Sequence, residues 1–185
     1  MPLTLKRAGS KASQRFEFTV HVHTLAPFPS GYGTLLIEWE RGTKRHGALP
    51  PAQPIHLAGA RGTAVQYRFD TGEPLHIPCT MRAVCRCAVA VVRFLHTHPH
   101  QDPGSTVSHY GFAKKVLCLT IASGDAQHKG SKHKARLGTV VLNLAECAGG
   151  DAEHSLLLPV ACVSAVSSVV KQPYLEVTVQ YVAHC

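Results

Sequence analysis

The chain has 185 residues, 45% hydrophobic and 16% charged, which fits one compact domain of about 100–200 residues and leaves little for a second. Nineteen Lys and Arg against eleven Asp and Glu give a formal charge of +8, so the partners it selects are anionic: nucleic acid, an anionic membrane surface or an acidic protein. No stretch approaches the roughly 18–20 continuous apolar residues of a membrane span, and MPLTLKRAGSKASQRF lacks the apolar core of a signal peptide, so a soluble, cytoplasmic chain is expected.

Residues 1–13 carry Lys6, Arg7 and Lys11 with no acid and little to bury, which reads as a flexible basic arm. From Gln14 the pattern becomes strict alternation. Phe16, Phe18, Val20 and Val22 share one side and Glu17, Thr19, His21 and His23 the other, as in a half-buried strand with exposed histidines. The same period places Leu35, Ile37 and Trp39 on one face, then Val65, Tyr67 and Phe69, and near the end Leu175, Val177, Val179 and Tyr181. PLHIPCT, CAVAVVRFL, KKVLCLTIA, LGTVVLNL and SLLLPV are further strands. APFPSGYG, ALPPAQP, DTGEP, HTHPHQDPGS and SGDAQHKGSKHK read as the turns and loops between them. One helical turn is expected at NLAECAGG, capped by Asn143 and ended by Gly149 or Gly150. Short strands with such punctuation and no long amphipathic run indicate an antiparallel sandwich or barrel, with residues 14–185 forming a single domain.

The seven cysteines are odd in number and mostly embedded in apolar runs, so they read as reduced, buried small hydrophobes. Cys85 and Cys87 could supply half of a zinc site, but no second C-x-C or C-x-x-C completes it.

RLGTVVLNLAECAGG at 136–150, followed by SLLLPV and closed by YLEVTVQYV, is the most specific stretch of the sequence. Together with LKRAGSKASQRFEFTVHVHTL and GTLLIEWERGTKR it resembles the N-terminal C2 domain family, found in EH-domain-binding proteins, early-estrogen-induced-gene proteins and plant plastid-movement proteins. The resemblance implies an all-β fold, an antiparallel eight-stranded C2-type β-sandwich, acting as a non-catalytic binding module. Such a module would tie larger proteins to membranes or to membrane-trafficking or cytoskeletal partners, without a cofactor.

Calcium binding would need about 6–8 oxygen ligands, largely from clustered acids. Asp70, Asp102, Asp125 and Asp151 stand one to a loop with no D-x-D pair, so a calcium-independent module is expected. Cations are clustered instead. Lys6, Arg7 and Lys11 lie in the arm, Arg41, Lys44 and Arg45 follow the second strand, and Lys129, Lys132, Lys134 and Arg136 precede a later one. These are the candidate lipid- or anion-binding residues, because each Lys or Arg near an anionic leaflet contributes about 1 kcal/mol. Nucleic acid is disfavoured: a single-strand platform needs exposed aromatics among its cations, and the aromatics are mostly assigned to the core.

The enzymatic alternative rests on His96 and His98 in FLHTHPH, which could reach one zinc. The H-T-H-P string resembles the core of the JAMM metalloprotease motif, but the Asp that completes that motif is missing. A peripheral, cytoplasmic module on an anionic phospholipid surface is therefore the leading expectation. A protein-binding scaffold without lipid affinity and a zinc-dependent hydrolase are the alternatives.

Overall fold

The alternation that begins near Gln14 becomes one long strand, β1 (Ser13–Pro29), and that strand organises a sheet. The computed structural model describes residues 13–56, 64–69, 72–85, 110–124, 135–148 and 151–184. One edge of β1 pairs with β12 (Tyr174–His184), from Arg15 opposite His184 to Ala26 opposite Tyr174. Its other edge is shared: β6 (Leu75–Cys85) runs beside the first half and β5 (Ala64–Arg68) beside the second. The sheet continues outward to β10 (Glu153–Pro159) on β12, to β4 (Pro54–Ile55) on β5 and to β7 (Tyr110–Phe112) on β6.

The second sheet has the order β11 (Ala161–Cys162), β9 (Arg136–Asn143), β8 (Val116–Ser123), β2 (Leu35–Arg41), β3 (Arg45–Ala48). The strand pairs in both sheets are antiparallel. The fold is an all-β, antiparallel β-sandwich, as the period-two segments predict.

What closes the sandwich is the inner face of each strand. Phe16, Phe18, Val20, Val65, Tyr67, Ile77, Val177 and Val179 from the first sheet are buried with Leu35, Ile37, Leu117, Leu119, Ile121, Val140 and Leu142 from the second. Each large apolar side chain moved from water into such a core contributes about 1.5–3 kcal/mol, against the entropy of ordering the chain. Phe16 also meets Phe112 edge-on, with ring centroids 4.9 Å apart, which seats β7 against β1.

Several local expectations differ from the structure. APFPSGYG, read as a loop, is strand as far as Pro29, with a cis Ala26–Pro27 peptide. The β1–β5 register shifts between Leu25 and Phe28, where Pro27 has no N–H to offer the ladder. RHGA, without an apolar alternation, is nonetheless β3, held by pairing with β2. A second short helix, α2 (Ser164–Ser167), went unread; Val166 anchors it in the core. The predicted turn is α1 (Leu144–Cys147), with Asn143 as its cap, but it ends at Ala148 in an extended conformation, before the glycines expected to stop it. His21 and His23 are half-buried, not exposed. β1 bulges between Val22 and Thr24, the two rings stack with centroids 6.3 Å apart, and His23 Nε2 lies 2.8 Å from Thr178 Oγ1. CAVAVVRFL, expected as a strand, lies wholly outside the described residues, as does the basic arm up to residue 12, while Ser13 already belongs to β1.

Candidate functional site

The inner face of β2 reads Leu35, Ile37, Trp39, Arg41: two buried aliphatics, a half-buried indole, and then a cation. Alternation carries Arg41 toward the other sheet at one end of the sandwich. Its Nη1 donates to the Pro78 carbonyl and its Nη2 to Cys79 Sγ, at 3.2 Å, so the side chain bridges from β2 to β6. Arg45 is the register partner of Arg41 on β3. The hairpin that joins them turns at Gly42, where φ is +61°, a conformation strained for any side chain.

Gly47 provides the space. A Cβ there would stand 2.8 Å from Trp39 Nε1, so the absence of a side chain lets the indole lie across β3. Trp39 thus closes the apolar core, and the positions beyond it are left to the cations.

The third contributor arrives from β8. Extending its inner face, Leu117, Leu119 and Ile121, back by one step reaches Lys115, with Lys114 just before it. Arg41, Lys44, Arg45, Lys114 and Lys115 line one open cleft of about 440 Å³, walled also by Thr43 and Val116, and no acidic side chain lines it. Cys79 senses this grouping. Burial pushes its thiol pKa up from the ordinary 9.0, while Arg41, Lys115 and Arg45 pull it down without overcoming the desolvation. Arg41 from β2, Arg45 from β3 and Lys115 from the approach to β8 therefore all act on this one thiol. Chemically, the cleft is a concentrated positive field with guanidinium and ammonium donors, suited to phosphate or carboxylate oxygens and not to metal ligation.

Of the candidate cations, the structure brings Arg41, Lys44 and Arg45 together and leaves Arg136 apart. Arg136 opens β9, is exposed, and donates from Nε to Thr139 Oγ1 at 3.0 Å. Asn143, at the other end of β9, is the residue that touches Lys115, and seven strand residues span about 23 Å. Lys6, Arg7, Lys11, Lys129, Lys132 and Lys134 lie outside the described residues. Lys114 and Lys115 are the site residues that sequence reasoning missed. Their signal was the Lys pair at the head of an apolar strand, which continues that strand's inward register.

His96 and His98 also lie outside the described residues, with Asp70, Asp102, Asp125 and Cys87. Among the described residues no three His, Cys, Asp or Glu are grouped as a metal site would need. Cys79 and Cys147 are buried free thiols, and Cys118 and Cys162 are half-buried free thiols. No helix among the described residues is long and apolar enough to cross a membrane.

No family model matches the chain, and no curated protein matches it in sequence. Among solved structures it is similar to one described as "Structure of a C2 domain", at 8% identity and a TM-score of 0.41, over 90% of this chain and 97% of that one.

Proposed function

We propose that residues 14–185 form one domain of the N-terminal C2 type, a non-catalytic, calcium-independent module that docks peripherally on anionic cytoplasmic membrane surfaces through the basic cleft. The observation that carries this reading is the cleft itself: five cations from the β2–β3 hairpin and the approach to β8, with no acid among its lining residues. The motif resemblance of 136–150 and of the β1 and β2 segments supports the family. The charge supports the ligand.

At about 1 kcal/mol per cation near an anionic leaflet, the five together give reversible binding of useful strength. Ser13 pairs with Arg82, whose carbonyl accepts from Ala113 N just before Lys114. The described chain thus begins near the cleft. Lys129, Lys132, Lys134 and Arg136 remain further candidate lipid contacts in this reading.

A second reading, a scaffold that binds a membrane-trafficking or cytoskeletal protein without lipid affinity, is favoured by β10. Among the described residues that strand pairs only with β12, and its Leu157 is 65% exposed. Sedimentation with phosphatidylcholine vesicles, with and without phosphatidylserine, separates the two. The variant Arg45→Gln, Lys114→Gln, Lys115→Gln spares the bridging Arg41 and should bind anionic vesicles on the order of a hundredfold more weakly. Undiminished binding by that variant at low salt would reject the cleft. Indifference of the wild type to anionic lipid would leave the scaffold reading.

A further inference from the structure

We infer that Asn143 is a positioning residue for the cleft, acting through Lys115; this rests on the reading of the cleft as the anion-binding site. An ordinary helix cap needs one side-chain oxygen accepting from one or two N–H groups of its own first turn. Asn143 does this toward Ala145 N at 3.3 Å. The same Oδ1 also accepts from the backbone N–H of Lys115, at 3.1 Å, just ahead of β8. The next residue completes the hold, because Leu144 N donates to the Lys115 carbonyl at 2.8 Å. Both backbone polar groups of Lys115 are therefore taken by consecutive residues of one turn.

That turn is itself fixed. Leu144 is fully buried, and Asn143 Nδ2 donates to Glu146 Oε1 at 2.8 Å. The amide can satisfy two N–H groups and one carboxylate in only one orientation, with its oxygen toward Lys115. The regular ladder ends at Val116 opposite Asn143, so the clamp carries strand order one residue further, into the cleft.

Order is needed there. Lys115 lines the cleft together with Arg41 and Arg45, and like charges repel a flexible ammonium toward solvent when its backbone is free to follow. With the backbone clamped, Lys115 stays on the inward register. Binding then finds the charge in place and does not have to order it.

The test is a double-mutant cycle read by binding to phosphatidylcholine vesicles that contain phosphatidylserine. Lys115→Gln should weaken binding about fivefold, the loss of one cation at the surface. Asn143→Ala should weaken it about threefold alone and not at all in the Lys115→Gln background, since residues that act through one another do not add. The exchange N143D/E146Q keeps the net charge, keeps an acceptor at 143 and a donor at 146, and should bind like the wild type. Should Asn143→Ala not fold, Asn143→Ser replaces it: it still caps the helix but is too short to reach Lys115 N. Equal losses in both backgrounds, or wild-type binding by Asn143→Ala beside a weakened Lys115→Gln, would overturn the inference and leave the cleft standing. Wild-type binding by Lys115→Gln would overturn the inference as well, and only undiminished binding by Arg45→Gln, Lys114→Gln, Lys115→Gln would remove the cleft reading with it.

Discussion

The two ends of β9 are both marked by cations in the sequence, and they are built differently. At the Asn143 end, Arg41 of β2, Arg45 of β3 and Lys115 just ahead of β8 line one cleft; the Arg41 side chain donates to the Pro78 carbonyl, and the Lys115 backbone N–H donates to Asn143 Oδ1. At the Arg136 end, the one described cation of its cluster is exposed and held by a neighbouring threonine on its own strand. A run of basic letters in a loop specifies charge. A site additionally needs register that gathers charges from distant segments and a backbone that keeps them there.

The largest contrast should appear in vesicle binding. Removing three cleft cations is expected to cost on the order of a hundredfold, while Arg136→Gln, measured in the same assay, should cost at most about fivefold for a single surface charge. A larger loss at Arg136 would break the comparison.

The glycines sharpen it. A side chain at Gly47 would collide with the Trp39 indole, and one at Gly138, near the Arg136 end, would stand 2.7 Å from Val160 Cγ1. Alanine at either position should lower unfolding stability by about 1–3 kcal/mol, as overpacking does. Only Gly47→Ala should also weaken vesicle binding, because Trp39 borders the cations. Equal binding by the two variants would show that the Trp39 shelf does not shape the cleft.

A smaller effect separates the two arginines in stability. Arg41→Met keeps the stem but loses the bonds to Pro78 and Cys79, for an expected loss of about 1–2 kcal/mol in chemical denaturation. Arg136→Met should stay within about 0.5 kcal/mol, as exposed positions do. Matching losses would mean that Arg41 is no bridge.

The smallest expected effect concerns pH. Burial raises the thiols of Cys79, Cys147 and Cys162 above the ordinary 9.0, with Glu146 adding to the rise at Cys147. A thiol whose pKa rises on folding holds its proton more tightly in the folded chain. Its contribution is complete below 9.0 and is lost as pH climbs through the raised value. Stability should therefore fall as pH is taken above about 9, and less steeply with Cys79, Cys147 and Cys162 all changed to Ala. An unchanged slope would place the alkaline sensitivity elsewhere.

Much of the sandwich was legible because burial on one face imposes period two, and β1, β5 and β12 show it in their cores, while β2 keeps Leu35 and Ile37 inward although Leu36 between them is buried as well. Punctuation misled where tertiary pairing overrode it. Pro27 and Pro29 look like loop residues, yet β12 supplies partners as far as Ala26 and β5 takes over up to Pro29. RHGA has little strand character of its own and is held as β3 by β2. The site was half legible. Arg41, Lys44 and Arg45 are neighbours in sequence, whereas Lys114 and Lys115 join them only through the pairing of β2 with β8. Asn143 was readable as a cap, since its neighbours announce a helical turn, but its bond to Lys115 depends on β8 lying beside β9.

The placement of β1 and β12 also governs how the domain would answer to force. Arg15 stands opposite His184, so the two ends of the described chain leave side by side at one edge of the same ladder. Tension applied between them acts on one rung at a time, from Arg15 and His184 inward, and the strands peel apart in sequence where an opposed pair would have to shear all its rungs together. The domain is thus mechanically soft along the line that joins its ends, whatever its resistance to heat or denaturant.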